Sequence, residues 1–148
     1  MATYKGIQSS RAKLATAPYG NNWSDYNKVT PSATLTTSDV VVLMEIPAGV
    51  RLETFRYYNE DFDTGTALVY DIGYRTKLPD GTQTDLDYIS NDVTILRAAT
   101  TAWQEPAFEA VQFNEPVQIV LIASVAPAGT SGTPSIICQA SGTMVGIA

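Results

Sequence analysis

The segment Val117-Gln118-Ile119-Val120-Leu121-Ile122-Ala123-Ser124-Val125 constrains this chain more than any other. It is rich in β-branched residues and apolar at both parities, so as a strand it is apolar on both faces and belongs in the middle of a sheet. The apolar stretch around it, Val117 to Ala128, is broken by Gln118, Ser124 and Pro127. It falls short of the roughly 20 apolar residues that a membrane-spanning helix needs.

The segments before it carry the same signature. Val40-Val41-Val42-Leu43-Met44-Glu45-Ile46 is a β-branched run stopped by Pro47-Ala48-Gly49. From Val50 to Tyr58 apolar and polar residues alternate, with a phase shift at Phe55 of the kind a bulge produces. Residues 59–65 read as a loop and Thr66 to Tyr74 as the next strand. Pro79-Asp80-Gly81 reads as the turn of a hairpin joining Arg75–Leu78 to Thr82–Tyr88. Residues 90–101 are the one expected helix, with Asn91 or Asp92 as its cap and Ile95, Leu96 and Ala99 facing inward. Ala107–Phe113 is a further strand, and Ser135–Ile147 the last, with Gly142 and Gly146 as bulge positions. Such spacing gives about seven or eight strands with short, turn-rich connections. The expected fold is all-β: a β-sandwich of jelly-roll type with an extended N-terminal arm and at most one short helix. An immunoglobulin-type sandwich is the runner-up, but its Cys–Trp–Cys signature is missing.

The arm is residues 1–32, and the sandwich domain residues 33–148. Residues 1–32 carry Lys5, Arg11, Lys13 and Lys28 against one acid, Asp25, whereas the rest holds five cations and fourteen acids. A basic end therefore precedes an acidic body, and the whole chain has a net charge of −6. The arm is poor in aliphatic residues but has Tyr4, Tyr19, Trp23 and Tyr26. Aromatic rings bury large area at low rotamer cost, so Tyr4, Lys5, Arg11, Lys13, Tyr19, Trp23 and Tyr26 are the candidate partner-binding residues. Three uses stay open: the arm wraps its own domain, it reaches a neighbouring subunit or a larger assembly, or, on a weak footprint of four diluted cations, it inserts into nucleic acid.

Chemistry is hard to place. The chain has no histidine and one cysteine, so a triad lacks its usual base and Cys138 reads as a small buried hydrophobe. The densest acidic cluster, Glu60-Asp61-Phe62-Asp63, reads as solvated or turn-capping acids or as a calcium loop. It fails the EF-hand spacing, since Ile72 stands where the bidentate glutamate belongs. Asp85 and Asp87 share one face of a strand, read as the solvent face. No phosphate loop is present, and an acidic body disfavours nucleic acid. The expectation is no catalytic residue, no cofactor, no metal, no nucleic-acid partner and no membrane partner. The N-terminal residues lack the apolar run of a signal peptide, which points to synthesis in a cytoplasm.

From Val40 to Tyr74 the order is apolar strand, Ile46-Pro47-Ala48-Gly49-Val50 turn, strand, Asp63-Thr64-Gly65-Thr66 turn, and a strand ending Asp71-Ile72-Gly73-Tyr74. This resembles small virion structural proteins of tailed bacteriophages, especially head decoration (cement) proteins. The likeness continues through Glu115-Pro116-Val117 and the Gly/Thr/Ser loop before the last strand, and brings no functional residues with it. It implies a non-enzymatic protein, made in the host bacterial cytoplasm, that sits on the capsid surface of the virion. Its partners would be the major capsid protein and itself, as a homotrimer, and its role capsid stabilisation. The alternatives are a tail, baseplate or head-fibre-base component, or a carbohydrate-binding module using Trp23, Tyr57, Tyr58 and Trp103. A carboxylate-based enzyme is the remaining alternative.

Overall fold

A computed structural model describes residues 1–5, 22–130 and 132–146. Among them, nine strands make two facing sheets. They are β1 (Thr3–Lys5), β2 (Asn22–Val29), β3 (Val40–Ile46), β4 (Val50–Asn59) and β5 (Val69–Thr76), followed by β6 (Asp85–Val93), β7 (Val111–Gln112), β8 (Val117–Val125) and β9 (Ile136–Met144). Sheet A has the order β1-β3-β8-β5-β6 and sheet B the order β2-β9-β4-β7.

The topology is a long hairpin rolled up. Its tip is the Pro79-Asp80-Gly81 turn, closed by the Gly81 N–H donating to the Leu78 carbonyl at 3.2 Å. Outward from the tip the pairs are β5 with β6, β4 with β7, β3 with β8 and β2 with β9, all antiparallel. Rolling then joins β5 to β8 and β4 to β9, again antiparallel. That strand order is the jelly roll. β1 is an addition, parallel to β3 on the edge of sheet A.

β8 occupies the central place its sequence demands, between β3 and β5. Val117, Ile119, Leu121 and Ala123 join the main core, while Val120 is buried on the other face with Val40 and Val42. The buried Gln118 on that outer face is satisfied: Arg75 Nε donates to it at 3.1 Å, and it donates to Glu45 at 3.1 Å. On β4 the phase shift is a bulge between Leu52 and Thr54. Val50 and Leu52, then Phe55 and Tyr57, face inward, while Glu53 and Thr54 are both exposed. Opposite the bulge, a Cβ on Gly142 would run into the Arg51 carbonyl, so the close approach there requires glycine. The turn after β3 needs one too: Gly49 has φ +87° and sits against the Gly146 backbone.

Three expectations need correction. Residues 90–101 are not a helix: β6 runs to Val93, and a single 3-10 turn, Ile95–Arg97, follows. Asp92 does not cap; it takes φ 52°, and its N–H donates to Asp71 Oδ1 at 2.7 Å, which fixes an irregularity at the sheet edge. Of the three inward-facing candidates only Leu96 is buried. The strand expected over Ala107–Phe113 is reduced to Val111–Gln112. Residues 22–29, read as part of the arm, form the edge strand β2, with Trp23, Asn27 and Val29 buried. The polar Asn27 is tolerated inside because its amide donates to the Leu43 carbonyl at 2.6 Å.

A further polar contact ties the sheets together through the core. The Tyr57 hydroxyl of sheet B and the Tyr70 hydroxyl of sheet A lie 2.8 Å apart, both residues buried. Burial pushes both phenols above their usual range. The Leu96 backbone also bonds Tyr70. Tyr70→Phe should therefore cost more than Tyr57→Phe, within about 1–3 kcal/mol each, because it strands two groups instead of one. The double variant should cost less than the sum of the two, a coupling that urea titration of all four proteins would measure.

Candidate functional site

The acidic loop is built from within. Asp63 Oδ1 accepts the backbone N–H groups of Gly65 at 3.0 Å and Ala128 at 2.8 Å, and Oδ2 that of Leu68 at 2.7 Å. Asp61 accepts from the Asp63 N–H, and Glu60 accepts from both the N–H and the hydroxyl of Ser135. Burial raises the Asp63 pKa, but the N–H donors outweigh it and hold the carboxyl below its ordinary value. These are turn-capping acids that pin the loop after β4 to the one after β8. Among the described residues no group of three potential metal ligands comes together. Nor, among the described residues, is any helix long and apolar enough to cross a membrane.

Cys138 is fully buried on β9, its thiol 3.1 Å from the Leu43 carbonyl, and burial pushes it up to about 12. Asp85 and Asp87 lie on β6, where a hydrogen bond shared with Asp87, and then burial, raise the Asp85 carboxyl.

The arm candidates separate. Tyr4 is half-buried and packs on the core, and Lys5 is exposed. Trp23 is buried on β2 while Tyr26 is 72% exposed. Arg11, Lys13 and Tyr19 lie outside the described residues. Of the aromatic residues named for sugar stacking, Trp23 and Tyr57 are buried and cannot serve; Tyr58 and Trp103 reach the surface.

Tyr26 and Tyr58 share the outer face of sheet B. The register sets Tyr26, Gln139 and Arg56 in one row across β2, β9 and β4, and Lys28, Ile137 and Tyr58 in the next. Residues 103–108 then run alongside β4, anchored where Tyr57 and Gln104 exchange backbone hydrogen bonds at 3.0 and 2.8 Å. This brings Trp103, 41% exposed, edge-on to Tyr58 with ring centroids 6.4 Å apart. The Arg56 guanidinium lies 4.6 Å from the Trp103 ring centroid. Its Nε and Nη2 donate to Gln139 Oε1 at 3.0 and 2.6 Å, and Nη1 is 3.6 Å from Glu105. Beside it, a groove of about 450 Å³ is walled by Thr54, Arg56, Pro106, Phe108, Gln139 and Ser141, among others.

The Arg56 guanidinium thus lies between the Gln139 amide and the Trp103 indole, a cation–π arrangement on the outer face of sheet B. Sequence reasoning had Tyr26, Tyr58 and Trp103 but missed Arg56 and Gln139. The alternation Arg56-Tyr57-Tyr58 already put Arg56 and Tyr58 on the face opposite the core.

No family model matches the chain, and no curated protein matches it. Solved structures do. A chain of the cyanophage Pam1 capsid asymmetric unit matches with TM-score 0.66 at 18% identity, over 92% of this chain and 96% of that one. A chain of the capsid of Ralstonia phage GP4 matches with TM-score 0.68 at 14% identity, over 95% and 97%. At these identities the likeness establishes a shared fold, end to end.

Proposed function

We propose that this protein is a non-enzymatic virion structural protein of a tailed phage, which binds the outside of the capsid and stabilises it. What supports this is the near-complete overlap of its jelly roll with chains of two phage capsids, with almost nothing added or missing on either side. The partners would be the major capsid protein and further copies of the chain, as a trimer, on particles assembled in the host bacterial cytoplasm. Stabilisation follows from mass action: a protein that binds only the intact shell raises the shell's stability with its own concentration.

The Arg56–Tyr58–Trp103 face and the arm are the surfaces proposed to make the contact. Co-sedimentation with capsids lacking this protein tests it. Wild-type protein should pellet with the shells, and Trp103→Ala should weaken binding at least tenfold, about 1.4 kcal/mol. Trp103 is exposed enough for its loss to leave folding intact. Deletion of the arm should stop at residue 21, which removes β1 and the Tyr4 contact but spares the Trp23 and Val29 core contacts of β2. Wild-type affinity in both variants would move the contact elsewhere, and mapping of the protein to tails alone would overturn the capsid assignment.

A second reading has one observation in its favour: the exposed Tyr58 and Trp103 rings meet beside Arg56, which lines a polar groove, and exposed rings next to polar groups suit a carbohydrate. Hits on a glycan array that vanish in Trp103→Ala would establish it.

A further inference from the structure

Charge is spread unevenly over the surface. The whole chain carries a net charge of −6. Yet the outward positions of β2 and β4 hold three cations, Lys28, Arg51 and Arg56, and one acid, Glu53. Those of β9, between them, are Ile137, Gln139, Ser141 and Thr143, all uncharged. The outer face of sheet B is thus a positive island on an acidic protein, and it suits a partner of negative charge.

Within that island Arg56 is held on two sides. Gln139 Oε1 accepts from its Nε and Nη2, and its guanidinium carbon lies 4.6 Å from the centroid of the Trp103 ring. The double hold fixes the guanidinium plane before any partner arrives, which lowers the ordering cost of binding. It leaves Nη1 over. The nearest acid is Glu105, 3.6 Å away, too far for a hydrogen bond, on a side chain 67% exposed. A pair so loose and so wet contributes little. Gln139 is in the same position: its oxygen is committed to Arg56, and its amide nitrogen has no acceptor among the described residues. Both side chains line the groove beside β4. The Tyr58 and Trp103 rings meet next to Arg56 and can shield a charged contact from water.

We infer that Arg56 and Gln139 receive an aspartate or glutamate side chain of a capsid subunit, which displaces Glu105 from its place beside Nη1. This rests on the capsid reading above. A carboxylate fits the planar N–H donors of an arginine, and Glu105 shows that one can stand there. A nucleic-acid backbone would bring repeated charge against Glu53 and Glu105, which line the same groove; a single carboxylate brings one. Glu105 is then a placeholder that the partner's acid must outcompete.

The test is co-sedimentation of the full-length protein with capsids lacking it, over a range of salt concentrations, with the unfolding midpoint of each variant measured alongside. Wild-type affinity should fall as salt rises. Arg56→Gln should bind about tenfold more weakly and with a flatter salt dependence. That change also releases Trp103, so Glu105→Gln, which leaves Arg56, Gln139 and Trp103 in place, is the deciding variant. It should bind about threefold more tightly, because the internal competitor is gone, and should bring no gain on top of Arg56→Gln. Amidation of the shell's carboxylates with a carbodiimide and a neutral amine should bring wild-type binding down to the Arg56→Gln level. If Arg56→Gln does not fold, Glu105→Gln and the amidated shells decide. Unchanged or weaker binding by Glu105→Gln overturns the inference and leaves the capsid reading intact, and so does full wild-type binding to amidated shells. Wild-type protein that fails to bind untreated capsids overturns both.

Discussion

Truncating Phe113 to alanine is expected to destabilise the protein by about 3–5 kcal/mol, the range for emptying a buried phenylalanine site. Phe113 is fully buried, and its ring meets Tyr74 edge-on with centroids 5.0 Å apart. Tyr74 in turn meets Tyr88 at 5.4 Å, and Tyr88 meets Phe108 at 6.4 Å. The chain of rings closes one end of the sandwich from core to surface. The Phe113 backbone also accepts from the Gly49 N–H at 2.7 Å and donates to the Val50 carbonyl at 2.9 Å, beside the turn joining β3 to β4. Removing the ring leaves those bonds without the packing that positions them. Chemical denaturation should show the full loss, and a change below about 1 kcal/mol would mean that the site collapses around the deletion.

Asp63→Asn should cost about 2–4 kcal/mol although it changes one atom. Three backbone N–H groups point at two carboxylate oxygens. An asparagine keeps one acceptor oxygen and aims N–H groups at donors. The effect has a pH signature. The folded pKa of Asp63 is depressed, so its contribution is complete above the unfolded value of about 3.8 and fades as pH falls through the lower folded value. Asp39 and Glu60 act in the same direction. For Asp39 burial opposes the shift and the Ala2 and Thr36 N–H groups outweigh it; for Glu60 the Ser135 hydroxyl and N–H lead. The gap between wild type and Asp63→Asn should therefore be widest near neutrality and shrink as pH falls below about 4, where Asp63 of the unfolded chain takes up a proton before that of the folded protein. A gap independent of pH would assign the loss to packing.

Strands whose burial pattern is simple were legible. β3, β4 and β8 announce themselves through β-branched content, and even the β4 bulge appears as the phase shift at Phe55. The tip of the rolled hairpin was legible from Pro79-Asp80-Gly81. β2 was hidden because its inward positions, Trp23, Asp25, Asn27 and Val29, alternate apolar with polar, and only the Leu43 carbonyl explains an interior asparagine. The end of β6 was hidden because Asn91-Asp92 has the chemistry of a helix cap and of an edge bulge alike; Asp71, 21 residues before Asp92, chooses between them. The candidate surface was half legible. Exposed aromatics can be guessed from alternation, but the partnership of Arg56 with Gln139, 83 residues apart, exists only once β4 and β9 are side by side.

The nested hairpin also sets a timetable. Among the described strands β2 pairs with β9 alone, and β9 separates it from β4. Asn27 and Cys138, neighbours across that ladder, are 111 residues apart in sequence. On a ribosome the early strands of sheet B must wait for the last one, on the order of ten seconds at usual elongation rates. Sheet A can begin at the β5–β6 tip long before. High contact order of this kind makes for slow folding, and until β9 emerges β2 lacks the strand it pairs with. A truncation just before Ile136 should leave sheet B unassembled and the chain prone to aggregate, whatever the quality of the core already made.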